Sequence, residues 1–475
     1  MTHFTAQDDK TGIFFLMSSA PTPIQASRDP SAGDQAVSLS QVLSALSHAL
    51  DLTEGQPAGH TVRACLIGMD VARELALDAE IRSALYYALL LKDAGCSSNA
   101  AATASLFGSD DHTVKRNLKT IDWTRFRDAA AYGVRNAAVG RGMLPRVMHT
   151  IRIGAAGQRG ARDLVRIRCE RGAAIVTKLG FPQATAEAVR SLDEHWDGNG
   201  HPDGKRGGEI PLLARIALLA QTLEVFAGKG GHEAALAVVQ DRAGTWFDPE
   251  LVRIVCSWRE TGRWQELYEG TVDQRVIEAE PEDRIHQADG ETLDRIAQGF
   301  AEVIDAKSPY TFRHSSGVAD YARRAGRQLG FDTNTLRDVY RAGLLHDIGK
   351  LAVSNRILDK NGPLTPEERR VIEQHPVYTW TILSKVDAFA SIARTASLHH
   401  EKLDGTGYPW NTTANELDMP ARLLAVADVF EALTARRPYR APMPTERALG
   451  ILQEDAEAGR LDADCLFALK RAIGA

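Results

Sequence analysis

Apolar residues in the second half of the chain recur every three or four positions. Leu293, Ile296, Phe300, Val303 and Ile304 share one side of a helical wheel, which predicts an amphipathic helix from about 290 to 306. A second helix is predicted over 333 to 348, with Val339, Ala342 and Leu345 on one side. It delivers His346-Asp347 at its C-terminal end and has Gly349 as a stop. Thr365-Pro366-Glu367-Glu368 has the form of an N-cap, a proline in the first turn and acids beside the positive helix end. The helix it opens should carry His375 just before Pro376. Ala421 to Arg436 reads as helix again, with Asp428 facing inward among Leu424, Val426 and Ala427. Asp404-Gly405-Thr406-Gly407-Tyr408-Pro409 reads as loop, because closely spaced glycines and a proline resist regular structure. No segment alternates with the strand period, so the expected fold class is all-α.

The first half repeats this layout in worn form. His60 and Lys92 are separated by 32 residues, as are His314 and His346, and Leu-Leu-Lys-Asp-Ala-Gly stands against Leu-Leu-His-Asp-Ile-Gly. Further on, Asp197-Gly198-Asn199-Gly200-His201-Pro202 parallels Asp404 to Pro409, and Gln221 follows Asp197 by 24 residues as Asp428 follows Asp404. Between these landmarks the first copy is longer, with an insert at roughly 98 to 165. The expected organisation is a leader over 1–38, a degenerate, non-catalytic domain over 39–265, a linker over 266–289 and an intact domain over 290–475.

The intact copy holds the chemistry. Five histidines (His314, His346, His375, His399 and His400) and two acids (Asp347 and Asp428) fall in positions suited to ligation. Imidazole with carboxylate suits iron, manganese or zinc better than magnesium or calcium. Seven ligands exceed one tetrahedral site. They suit two divalent metals that share Asp347 and leave positions open for water, an arrangement adapted to in-line displacement at phosphorus. In the first copy His60 and Asp93 survive. Lys92 replaces the doublet histidine, and Cys96 stands where Lys350 would be. Cys169 is aligned with His375, Leu192 and Asp193 replace His399 and His400, and Gln221 replaces Asp428. Lys92 is expected to pair with Asp93 and fill the lost metal site with its own charge, and His195 and His201 to be exposed loop residues.

His346-Asp347-Ile348-Gly349-Lys350, followed by His399-His400-Glu401-Lys402-Leu403-Asp404-Gly405-Thr406-Gly407-Tyr408-Pro409, resembles the HD-GYP domain of the HD superfamily. The resemblance covers residues 290 to about 455 closely and 40 to about 240 weakly. It implies hydrolysis of cyclic di-GMP to linear pGpG, and on to GMP. It also implies that His314, His346, Asp347 and Asp428 hold one metal, and that Asp347, His375, His399 and His400 hold the other. Lys350 and Asp347 would then be the catalytic residues, with Lys350 beside the scissile phosphate, where it stabilises charge and helps protonate the leaving oxygen. Gly407 and Tyr408, with Arg437 and Arg440, would bind substrate; a guanidinium fork can meet two phosphate oxygens. Family members that bind a third metal carry a glutamate four residues before the first histidine. Here that residue is Tyr310, which argues for two.

Composition changes the picture little. The chain of 475 residues is 44% hydrophobic with a net charge of −6, so it can bury two cores and carries no basic excess for a nucleic-acid polymer. Cys65, Cys96, Cys169, Cys256 and Cys465 have no paired spacing and read as reduced thiols of a cytoplasmic protein. The run Ile13 to Met17 is too short to cross a membrane and lacks the basic start of a signal peptide. The expected partners are therefore a cyclic dinucleotide, no membrane, and a homodimer or signalling partner through the N-terminal half. Two other readings fit the same residues. One is a phosphohydrolase of another cyclic dinucleotide or nucleotide; the other is a non-catalytic receptor or adaptor, for which the intact ligand set and Lys350 would be superfluous.

Overall fold

The computed structural model describes residues 37–267, 271–281, 287–311, 313–436 and 441–475. Arg437 and Arg440, and nearly all of the expected leader, lie outside the described residues. Those described are helical almost throughout, as the apolar spacing predicts; the exceptions are two-residue strands and irregular loops.

The first copy is built on helices α1 (Leu39–Thr53), α2 (His60–Glu74) and α3 (Ala79–Leu91), an insert containing α4 (Asp111–Leu118), the long α5 (Met143–Lys178) and α6 (Leu212–Asp241). The second copy repeats the plan with α7 (Gly290–Ala306), α8 (His314–Gln328), α9 (Thr333–Leu345), α10 (Pro366–Ile372), α11 (His375–Leu383), α12 (Ala390–Ser397) and α13 (Met419–Thr434). Starts are set locally. Asp78, Asp289, Asp332 and Asp418 each accept a hydrogen bond from a backbone N–H of the first turn that follows. Thr365 and Glu368 form a reciprocal capping box. The residues before α2 and α8 are both left-handed, Gly59 at φ 82° and Arg313 at φ 60°. Asp51 accepts from Gly59 and Thr61 N–H, and Asp305 from Ser315, so the entry to the first histidine is braced alike in both copies.

The copies pack as one body around a continuous apolar core that includes Leu43, Leu89, Trp258, Phe300, Leu344 and Leu424. Strands β1 (Val37–Ser38) and β2 (Gln287–Ala288), which precede α1 and α7, pair antiparallel. The stretch read as a linker contains helix Val272–Glu278, whose buried Val276 accepts a hydrogen bond from Tyr86 at 2.8 Å.

Two local expectations need correction. The helix opened by Thr365 ends at Ile372, and His375 begins a new one with Pro376 in its first turn. A proline is poorly placed to continue a helix but well placed to start one. Gly349 does not end α9, which closes at Leu345. It lies in the turn Ile348–Ala352, where a Cβ would stand 1.9 Å from the His375 carbonyl oxygen. Glycine is needed there for close approach of two backbones.

Candidate metal centre

His314 opens α8, and His346-Asp347 follows the last turn of α9. His375 opens α11, His399-His400 follow α12, and Asp428 lies on the inner face of α13. Four helix ends and one helix face thus converge, and all seven candidate ligands meet. The Oδ2 atom of Asp347 stands 3.6 Å from His314 Nε2 and 3.3 Å from His346 Nε2; its Oδ1 stands 3.3 Å from His375 Nε2 and 3.7 Å from His399 Nε2. Asp428 lies 3.2 Å from His314 Nε2, 3.8 Å from His346 Nε2 and 3.8 Å from His400 Nδ1. Ligating atoms of Asp347, His375, His399 and His400 all lie within 4.8 Å of one another, as do those of His314, His346 and Asp347. Tyr310 belongs to neither group.

The outer ring nitrogens fix how the imidazoles point. Nδ1 of His346, His375 and His399 each meets the carbonyl oxygen three residues earlier, at 2.8, 2.7 and 2.6 Å. With Nδ1–H donating there, Nε2 presents its lone pair to the centre, as a metal ligand must. His314 is held instead by Glu431, which meets its Nδ1. Sequence reasoning missed Glu431, although it follows Asp428 by three residues and so lies one turn along the same helix. It also missed Thr379, whose hydroxyl accepts from Gly349 N–H at 3.1 Å and donates to the His346 carbonyl at 2.8 Å.

The residues fit divalent cations. The buried His346 Nε2 and Asp347 Oδ1 have no hydrogen-bond partner among the described residues, and both face the other ligands. Burial, and then the neighbouring imidazoles, hold His399 well below the usual histidine range. Burial pushes His400 down to about 3. Both are therefore neutral at pH 7. Burial opposes the charge on Asp347 as well, but His346 and Lys350 outweigh it and keep the carboxylate ionised. His314 goes the other way: Asp428 and Glu431 overcome burial and push it up to about 10. Carboxylates that draw positive charge onto an imidazole this strongly suit a cation between them. A bound metal would polarise a phosphoryl oxygen and make a water nucleophilic near neutral pH.

Lys350, the least buried of these groups apart from His400, places Nζ 2.6 Å from Asp347 Oδ2. The loop after His400 is drawn in by Glu401, whose carboxylate accepts from Trp410 and Thr412 N–H at 2.8 and 2.9 Å. A Cβ on Gly407 would lie 2.5 Å from backbone atoms of Glu401 and Lys402. The Tyr408 ring lies 4.7 Å from that of His400, at the rim of the centre.

The first copy keeps this scaffold and loses the ligands. Lys92 pairs with Asp93, as expected, and its Nζ lies 3.2 Å from His60 Nε2. It is not alone. Lys119, from the insert, reaches Glu54 at 3.0 Å and Asp93 at 3.3 Å, and Arg168 pairs with Asp193. The alignment of Cys169 with His375 is corrected by the backbone. A Cβ on Gly95 would meet the Arg168 carbonyl at 1.9 Å, as one on Gly349 would meet that of His375. Arg168 thus holds the place of His375, and guanidinium and ammonium groups fill the space between the acids. Glu54, Asp93 and Cys96 form a further cluster. Lys119 already meets both acids, and burial followed by those two acids keeps the Cys96 thiol protonated, so it is a poor ligand. His195 and His201 are not exposed; they pack against Trp123 at ring distances of 4.9 and 4.7 Å.

Paired helical bundles, one with an intact histidine and aspartate cluster, define an HD-domain protein. The HD-domain family model matches residues 127–251 and 298–465, and the chain belongs to that family, to its HD-GYP type. It is 43% identical over 436 residues to the 3'3'-cGAMP-specific phosphodiesterase 3 of Vibrio cholerae, covering 92% of this chain and 94% of that one. It is 34% identical over 204 residues to the cyclic di-GMP phosphodiesterase response regulator RpfG of Xanthomonas campestris, covering 42% of this chain and 52% of that one. The crystal structure of a cyclic GMP-AMP-specific phosphodiesterase of V. cholerae, V-cGAP3, matches with a TM-score of 0.63 at 38% identity, over 93% of this chain and 98% of that one. No helix among the described residues is long and apolar enough to cross a membrane.

Proposed function

We propose that this chain is a two-metal phosphodiesterase that opens a 3'3'-linked cyclic dinucleotide, and that 3'3'-cGAMP is its preferred substrate. The observation that carries the chemistry is Asp347, whose two oxygens each face a different pair of imidazoles. A carboxylate so placed can bridge two cations about 3.5–4 Å apart, the spacing of two-metal phosphoryl-transfer sites. His314, His346 and Asp428 would complete one metal's shell, and His375, His399 and His400 the other's. Iron or manganese suits this mixed shell, and zinc is the third candidate. Lys350 would hold charge on the phosphate and hand a proton to the leaving oxygen. Gly407 and Tyr408, with Arg437 and Arg440, would bind the dinucleotide.

The substrate rests on likeness. The Vibrio cholerae relative matched over 92% of this chain acts on 3'3'-cGAMP, whereas the cyclic di-GMP phosphodiesterases among the relatives match smaller shares of it, 42%, 31% and 57%. Hydrolysis of both dinucleotides by protein purified anaerobically and supplied with Mn²⁺ or Fe²⁺, beside Asp347→Ala, tests both levels. Turnover of 3'3'-cGAMP that vanishes in the variant supports the full reading. Faster turnover of cyclic di-GMP would overturn the substrate and leave the chemistry. Binding of either without turnover, by protein holding two metals per chain, would point to a receptor.

A further inference from the structure

One carboxylate of the first copy makes its principal contacts in the second. Asp111 opens α4 in the insert and is fully buried. Its Oδ1 accepts from Asn355 N–H at 2.8 Å and from the Ser354 hydroxyl at 3.0 Å, while Oδ2 accepts from Lys307 Nζ at 2.8 Å. The Asn355 side-chain amide donates to the Lys307 carbonyl at 2.6 Å and closes the ring. Lys307 ends α7, just upstream of His314. Ser354 and Asn355 come just after the turn Ile348–Ala352 that carries Lys350. The Asp111 carboxylate therefore ties the segment entering the metal centre at His314 to the segment leaving it after Lys350, beside the direct Asn355 bond between them. The far end of α4 is anchored in the first copy, where Lys115 donates to the Cys96 carbonyl at 2.5 Å and Lys119 reaches Glu54 and Asp93.

We propose that Asp111 is a positioning residue for the second copy's reaction, so that the first copy, with ammonium and guanidinium groups among its acids, acts as the brace of its neighbour's centre. This rests on the phosphodiesterase reading above. Thr379 and the His375 backbone hold the start of the turn bearing Lys350, and Asp111 holds the segment into which it leads. Without that carboxylate, Lys307 Nζ would retain, among the described residues, only His112 Nε2, at 2.9 Å, in a buried site. The Lys307 ammonium would then shift toward water, leaving the two segments joined by the Asn355 amide on the Lys307 carbonyl at 2.6 Å and by Ser308 on Asp359 at 2.5 Å.

The test compares the full-length chain with Asp111→Asn, Ser354→Ala and the double variant. The readouts are Mn²⁺ affinity, and kcat and KM at saturating Mn²⁺ on 3'3'-cGAMP and on bis(p-nitrophenyl) phosphate. Asp111→Asn is expected to weaken Mn²⁺ binding and lower kcat by about 10- to 100-fold with KM within about twofold, the usual cost of losing a group behind the ligands. The double variant should lose more than either single variant, because an asparagine oxygen can still accept from Ser354 and the two changes remove different contacts. A lowered melting temperature with unchanged Mn²⁺ affinity and unchanged kcat per folded chain would reduce Asp111 to a structural role and overturn the proposal. If Asp111→Asn does not fold, Ser354→Ala decides, since it spares the Lys307 pair: no change in either readout overturns the proposal. Wild-type protein that cleaves only the simple diester would sink the dinucleotide reading while leaving the Asp111 comparison readable. If it cleaves neither, Mn²⁺ affinity decides.

Discussion

At the scale of single residues, the ligands were legible because their chemistry is exceptional. Paired His-Asp and His-His doublets have few uses in a helical core, whereas a lone glutamate has many. Glu431 was therefore invisible, although its carboxylate does for His314 what backbone carbonyls do for three other histidines. Glu431→Gln should keep the shape and lose the charge, weakening metal binding by about 10- to 100-fold in a titration followed by metal analysis, with little change in melting temperature. Gly349 presents the converse case, a residue with no side chain whose replacement reaches a ligand. In Gly349→Ala the new Cβ would have to displace the His375 backbone, so metal content and turnover should fall together. Retention of two metals per chain by that variant would contradict the close approach.

At the scale of elements, helix existence followed from apolar spacing, while helix ends and register did not. The break between α10 and α11 depends on Pro376 and on the backbone contact at Gly349, and only the first of these is written locally. The assignment of Cys169 failed by one residue because α5 offers no internal landmark and the insert removes any count from either side. The glycine contact at Arg168 supplies the missing register. That register predicts how the worn centre is held: Lys92 and Lys119 both face Asp93, and Arg168 faces Asp193. Lys92→Met should therefore destabilise the chain by about 3 kcal/mol in a denaturant titration, since it removes one partner from a buried ionic cluster. It should not raise the metal content, because Lys119 and Arg168 remain among the acids. A gain of one bound metal would show that Lys92 alone had excluded it.

At the scale of the whole molecule, the continuous core and the β1–β2 pair mean that what unsettles one copy unsettles both. How the copies pack could not be read from either repeat, because the contacts belong to the insert and to the surfaces where the copies differ. Acid should be the clearest probe. Burial pushes His195, packed between Trp123 and Trp246, down to about 3, and burial followed by the nearby Lys307 ammonium pushes His112 down to about 4. In the unfolded chain a histidine binds its proton near pH 6.5, so between that value and the folded ones the unfolded state holds more protons. Stability from these groups is complete above pH 6.5 and is lost as the pH falls toward 4 and then 3. Glu54 adds a later loss: burial opposes its charge, but Lys119 and Lys115 hold it down to about 2, so its contribution fades below the unfolded value near 4.5. Calorimetry should show a single transition whose midpoint falls steadily below pH 6.5. His195→Phe, which keeps the ring stacked on Trp246 and removes the titrating group, should flatten the decline between pH 6.5 and about 3 and leave the losses due to His112 and Glu54. Two separated transitions at low pH would instead mean that the copies hold their cores independently, and that the brace between them yields before either one.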